Sequence, residues 1–214
     1  TKRPRISSGF TEFDRVLGGG IVSGSVVLIG GNPGAGKSTL LLQTVGRLCL
    51  NHKVLYVTGE ESLQQVALRA NRLKIQANNI RIAAETSIDT ICEMASKERP
   101  EVLIVDSIQV MHVTGIESAP GSVSQVREGA AALTQFAKRT GIAVFMVGHV
   151  TKDGTLAGPK ILEHCVDCSV ILEAGTDMRY RTLRCQKNRF GAVNEIGVFA
   201  MTDTGLKAVS YTHL

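Results

Sequence analysis

The sequence predicts an α/β domain: a mostly parallel, twisted sheet flanked by helices, with a C-terminal antiparallel extension. Three observations predict it. Short runs of β-branched and apolar residues alternate with stretches of helical spacing up to about residue 168, the pattern of a parallel sheet with helices on both faces. Beyond that point, strand-like segments over 169–173, 179–187 and 195–201 follow one another through Gly- and Asn-containing turns with no helix between, which reads as antiparallel pairing. A Gly-rich turn also stands between the first buried strand and the first long helix. In such sheets, ligands bind at the carboxyl ends of the strands.

The elements follow in order. Residues 26–30 form a short apolar strand, and 37–50 carry Leu40, Leu41, Val45 and Leu48 on one helical face. Residues 54–58 read as a strand, and 62–73 as a helix with Val66, Leu68 and Leu73 near its apolar side. Residues 80–83 are strand-like. Ser87 is a candidate N-cap for a helix that stops at Pro100. The run 102–105 is wholly apolar and ends on the carboxylate of Asp106, 124–140 is helical with an Ala-rich middle, and 142–148 is another apolar strand. Two long loops, 107–121 and 150–159, break the regularity, and loops of that length in a compact domain are usually functional.

Composition narrows the function classes. At 43% apolar and 20% charged residues, the 214-residue chain can bury a core, and it reads as one domain. No apolar run approaches the ~20 residues of a membrane span, and no secretory signal opens the sequence. Residues 210–214 belong to no element and read as an appended tail. Five scattered cysteines suit a reducing cytoplasm better than a disulfide framework. Cys165 and Cys168 have metal-ligand spacing, but a zinc site needs about four ligands and no second pair exists; they read as two small, half-buried thiols. The net charge of +5 permits a nucleic-acid partner. With no Trp and 4% aromatics, broad base-stacking platforms are not expected.

The Gly-rich turn carries the chemistry. Gly31, Asn32, Pro33, Gly34, Ala35, Gly36, Lys37 and Ser38 match G-x-x-x-x-G-K-[ST] in full, between strand and helix, with Thr39 following. Such a loop cradles phosphates with its N–H groups. Lys37 supplies charge for the β- and γ-phosphates of ATP or ADP, and the Ser38 hydroxyl is a ligand for Mg²⁺. Asp106, at a strand's carboxyl end, is placed for the Mg²⁺ shell. Glu60 and Glu61 also stand at that edge; one would orient or deprotonate the attacking water, and the other cap the next helix. His149 reaches the same edge.

Read together, these motifs resemble a known family. The Gly-rich segment from Ser8 to Gly20, the string Gly59-Glu60-Glu61-Ser62 and the string Lys187-Asn188-Arg189-Phe190-Gly191 are similar to the RecA-like ATPase domain of bacterial RadA (Sms) DNA repair proteins, over nearly all of 5–209. The resemblance implies a RecA-like P-loop core and a DNA-dependent ATPase that processes recombination intermediates and promotes branch migration on single-stranded and branched DNA. It implies a hexameric ring of identical subunits. It favours Glu60 over Glu61 as catalytic, gives His149 a γ-phosphate sensor role, and makes the two long loops DNA-binding. The family's N-terminal zinc finger and C-terminal Lon-like domain have no match within 1–214.

Charge sharpens these expectations. Lys152 and Lys160 in the second loop are candidate contacts to DNA phosphate; Gln109, His112 and Gln125 are weaker polar candidates in and near the first. Arg179, Arg181, Lys187 and Arg189 occur at strand alternation, so all four could share one face. Lys187 and Arg189 are expected at a sheet edge away from the chain's own nucleotide, acting on a neighbour's. Two other readings compete. A RecA-fold ATPase of the KaiC clock type resembles the chain in the leading segment and the P-loop, though not in the 187–191 string. A nucleotide-switched adaptor would use hydrolysis only to reset a partner.

Overall fold

The computed structural model describes residues 4–76, 80–150 and 159–209. Six parallel strands form one side of a nine-stranded sheet, out to its β5 edge: β3 (Val26–Gly31), β4 (Val54–Thr58), β5 (Arg81–Ala84), β6 (Val102–Asp106), β7 (Ala143–His149) and β8 (Cys168–Ala174). Antiparallel β9 (Tyr180–Asn188), β10 (Ile196–Thr202) and β11 (Gly205–Ala208) extend it, giving the order β11-β10-β9-β8-β3-β7-β6-β4-β5. This is the predicted architecture. A two-stranded ribbon of β1 (Arg5–Ile6) and β2 (Ile21–Val22), and the short helix α1 (Thr11–Val16), lie in the Gly-rich leader, where periodicity alone gives no signal.

Helices cover both faces. One core layer joins α1, α2 (Lys37–Leu48) and α3 (Leu63–Arg72) to residues such as Val27, Ile29, Tyr56 and Ile104. The other joins α4 (Ile88–Glu98) and α5 (Val123–Thr140) to Val26, Leu28, Leu103 and Val105. Each central strand therefore sends alternate side chains into opposite cores, which is why these strands read as unbroken apolar runs. The predicted cap Ser87 accepts from Thr90 N. The helix α3 is capped not by a glutamate, as expected, but by Ser62, whose hydroxyl accepts from Gln65 N and whose own N–H the Gln65 side chain binds in return, a capping box.

The leader is fastened to the antiparallel extension. Phe10 meets Phe199 edge-on at 5.8 Å between ring centroids, and the Arg47 guanidinium lies 3.6 Å over the Phe10 ring. Asn188 is buried, and its Nδ2 donates to Leu17 O at 3.0 Å. Next to it, Gly18 has φ +87° and no room for a Cβ, which would stand 2.9 Å from that amide nitrogen.

The four basic residues of the extension do not share a face. Arg179 precedes β9 and pairs with Asp177 in solvent. Arg181 is buried. Val170 pairs with Cys185 but the next β8 residue back, Ser169, pairs with Lys187; the extra β9 residue, a bulge, reverses the alternation. Lys187 therefore shares a face with Ser169, opposite Arg181. Arg189 lies just past the strand. Nor is β9 a sheet edge, since β10 and β11 lie outside it; what separates Lys187 and Arg189 from the chain's own P-loop is position along the strand.

A buried carboxylate holds that lower end together. Asp167, 1% exposed, accepts from Val26 N at 2.8 Å, Lys138 Nζ at 2.6 Å and Arg189 Nη1 at 2.7 Å. It thus ties the start of β3 to α5 and to the end of β9. Asp167→Ala should lower unfolding free energy by about 1.5–3 kcal/mol, the range for hydrogen bonds to a charged group; urea denaturation within experimental error of the wild type would contradict this.

Candidate functional site

The site forms where β3, β4, β6 and β7 end together. β3 runs out at Gly31, whose φ is +153° and whose place admits no side chain: a Cβ would stand 2.4 Å from Leu172 O. The loop then turns, with Ala35 N donating to Asn32 O at 3.1 Å, and enters α2 through Gly36 at φ +105°. The first turn of α2 has neither a side-chain cap nor an acidic residue. Its leading N–H groups point along the axis with the positive end of the helix dipole, an arrangement suited to phosphate.

Lys37 is 4% exposed and donates to Gly31 O at 2.5 Å and Asn32 O at 3.0 Å. Burial lowers its ammonium pKa to about 8, against the opposing pull of the Asp106 and Glu60 charges. Ser38 Oγ donates to Asp106 Oδ2 at 2.6 Å, and Tyr56 OH donates to the same oxygen at 2.6 Å. A hydroxyl and a carboxylate so close are hard oxygen ligands and fit Mg²⁺.

The two glutamates part company. Glu61 turns toward α3 and pairs with Arg69 at 2.6 Å. Glu60 turns inward: its Oε1 accepts from Ser107 Oγ at 2.7 Å and lies 3.1 Å from His149 Nε2. The hydrogen bond from His149 does most to hold the Glu60 carboxyl below its usual pKa, with Ser107 and the charges of His149 and Lys37 adding to it against partial burial. Among the described residues His149 Nδ1 is buried without a partner, while Nε2 faces Glu60. The structure thus brings Lys37, Ser38, Asp106, Glu60 and His149 to one edge.

Other predicted residues fall elsewhere. Gln109 is buried and its amide grips the His149 main chain both ways, Nε2 to O at 3.0 Å and Oε1 from N at 3.2 Å. Gln125 is buried too, bonding Val113 N, Ile116 O and Ser118 O. These two are corrected from DNA candidates to internal struts, because their amides are spent on backbone and shielded from solvent. His112 bridges Ser87 through backbone and is partly buried. Lys152 lies outside the described residues; Lys160 falls in the 3-10 turn Pro159–Leu162, and its side chain is not among those described. Cys165 is partly buried and Cys168 buried, and among the described residues no cluster of three or more His, Cys, Asp or Glu side chains fits a metal.

Arg181 is corrected as well. It is 4% exposed and spent on backbone carbonyls. Its Nε donates to Ala35 O at 2.9 Å, and its Nη1 donates to Met178 O and Tyr180 O. One guanidinium therefore joins the β8–β9 turn to the P-loop. Sequence reasoning missed this strut, and Tyr56 with it, because both are set by contacts between distant segments.

Lys37 makes nucleotide binding pH-dependent. Bound phosphates favour the ammonium form, so the complex keeps a proton that free Lys37 loses above about pH 8. Affinity for ADP should fall as pH rises from there toward 10.5, by up to about tenfold per pH unit, with proton uptake on binding. Calorimetry at pH 9 in buffers of different ionisation enthalpy reads that uptake directly; none detected would contradict the assignment.

Comparisons with known proteins agree with this geometry. A family model described as an AAA domain matches residues 5–155. The protein named DNA repair protein RadA from Escherichia coli (strain K12) is 66% identical over 207 residues, covering 97% of this chain and 45% of that one. Its namesakes from Pseudomonas aeruginosa and Bacillus subtilis (strain 168) are 58% and 49% identical, covering 97% and 98% of this chain and 46% of each. The chain thus spans about half the length of the curated relatives it matches. The crystal structure of KaiC-like protein PH0186 from Pyrococcus horikoshii OT3 superposes with a TM-score of 0.80 over 98% of this chain and 100% of that one, at 19% identity, a likeness of fold alone. The chain belongs to the AAA domain family and, within it, is of the RadA type: a RecA-like P-loop ATPase domain.

Proposed function

We propose that this domain is a DNA-dependent ATPase of DNA repair and homologous recombination, which hydrolyses Mg-ATP in a ring of its own copies to process recombination intermediates and drive branch migration. The observation that carries the reading is the setting of Glu60. Its Oε1 takes hydrogen bonds from Ser107, which opens the first long loop, and from His149, which leads into the second. A carboxylate so held can orient or deprotonate a water, and it answers to both loops expected to meet DNA.

The residues divide the work. The P-loop amides and Lys37 bind the phosphates and fix the γ-phosphoryl group. Ser38 and Asp106 hold Mg²⁺, which when bound offsets charge on the β- and γ-oxygens. Glu60 places the water, and His149 holds Glu60 and senses the γ-phosphate. Lys152 and Lys160 bind DNA phosphate, a contact indifferent to sequence.

Lys187 and Arg189 act on a neighbouring subunit's ATP. Arg189 is anchored by Asp167 beside Val26, and Lys187 Nζ donates to Glu163 O at 2.6 Å. The P-loop leaves the other end of the same strand, roughly 17 Å away at about 3.3 Å per residue. These cations thus stand too far to serve their own site, while the Arg189 side chain keeps 55% exposure. Asp167 steadies the guanidinium, and Lys138 keeps that carboxylate paired if Arg189 turns outward.

Three experiments test the proposal. Glu60→Gln should keep ATP binding and lose turnover steeply, while Glu61→Gln turns over normally; the reverse would exchange their roles. Lys37→Ala subunits mixed with Arg189→Ala subunits should recover ATPase activity, since an intact finger then faces an intact P-loop. No recovery in mixtures shown to co-assemble would sink the trans assignment. DNA binding should weaken with salt, and replacing Lys152 and Lys160 by Ala should flatten that slope by about one unit per contact; affinity independent of ionic strength removes the loop contacts.

A further inference from the structure

Tyr56 stands in the middle of β4, opposite Ile104 of β6, two residues short of the sheet's ligand edge. Its ring belongs to the core beneath α2, 1% exposed. A phenol so deep needs a partner for its O–H. The hydroxyl rises along the strand to Asp106 Oδ2, at 2.6 Å, the same oxygen that accepts from Ser38.

Phe would fill the same core volume. What Tyr adds is one donor, and it is spent on the carboxylate assigned to Mg²⁺. A short hydrogen bond to an ionised acceptor is among the stronger kinds. It fixes the rotation of the Asp106 carboxylate in a place only 5% exposed.

We propose that Tyr56 is a positioning residue for the metal: its hydroxyl sets the orientation of Asp106 and so determines how tightly Mg²⁺ is held with the nucleotide. The inference rests on the Mg²⁺ role proposed above for Asp106. Groups that orient metal-ligating carboxylates typically change metal affinity by about 10–100-fold when removed, and Tyr56→Phe should do so here.

Binding of Mn²⁺ to protein saturated with ADP, followed by the paramagnetic signal of the free ion, reads this without turnover. Tyr56→Phe should bind Mn²⁺ about 10–100-fold more weakly, with ADP affinity in EDTA unchanged. Asp106→Asn, run beside it, should also weaken Mn²⁺. If Asp106→Asn weakens the metal and Tyr56→Phe does not, the Tyr56 assignment is overturned and the Asp106 reading stands. If neither weakens it, both fall. If Tyr56→Phe loses ADP affinity in EDTA as well, Tyr56 serves the fold generally and the proposal is overturned. Should Tyr56→Phe not fold, the native side chain can be read in place. Protein carrying Tyr180→Phe and Tyr211→Phe retains Tyr56 as its one tyrosine of three. Labelled with 3-fluorotyrosine, it should shift its fluorine resonance when Mg²⁺ joins the ADP complex, and an unmoved resonance overturns the proposal.

Discussion

A buried charge at a strand end is the constraint on which this site depends. Asp106 is only 5% exposed, and a carboxylate buried there without hydrogen bonds would destabilise the fold. Ser38 and Tyr56 satisfy it from two directions. The opposite charge meets the same demand: Lys37 is buried among its own loop's carbonyls, and its depressed pKa is the mark of that burial. The fold supplies rigidity around the loop through Arg181 and Gly31.

A second buried carboxylate, Asp167, stands beside the start of β3, the strand whose other end leads into the phosphate loop. One polar cluster stands at the P-loop edge and the other anchors Arg189, with Lys187 held nearby on Glu163 O. β3 is the rod between them. A chain built this way presents a glycine-rich loop at one end and cations at the other. The Gly-rich leader reinforces the lower end, because Asn188 of the basic string closes on Leu17.

Residues assigned from the sequence divide by how local their chemistry is. The phosphate loop, Asp106 and the bounds of β4 and β6 were legible because each depends on a short run: glycines at fixed spacing, or an apolar strand ended by a carboxylate. Glu60 and Glu61 were not separable by periodicity; Arg69, eight residues on, claims one of them, and Ser107 with His149 the other. Gln109 and Gln125 looked like loop polar groups open to a ligand, but their amides are consumed by backbone. The four basic residues seemed to share a face until a single bulge reversed the alternation at Gln186.

By itself, then, the sequence determined the α/β class, the phosphate loop and the family likeness, since periodicity and motif spacing act over a few residues. The tertiary structure alone decided which side chains meet across the sheet. Arg181 reaches Ala35 over 146 residues of chain, and Tyr56 reaches Asp106 over 50. No local pattern distinguishes a tyrosine that fills a core from one that also orients a carboxylate, because the difference is a hydroxyl whose partner is set by strand register and not by sequence neighbours.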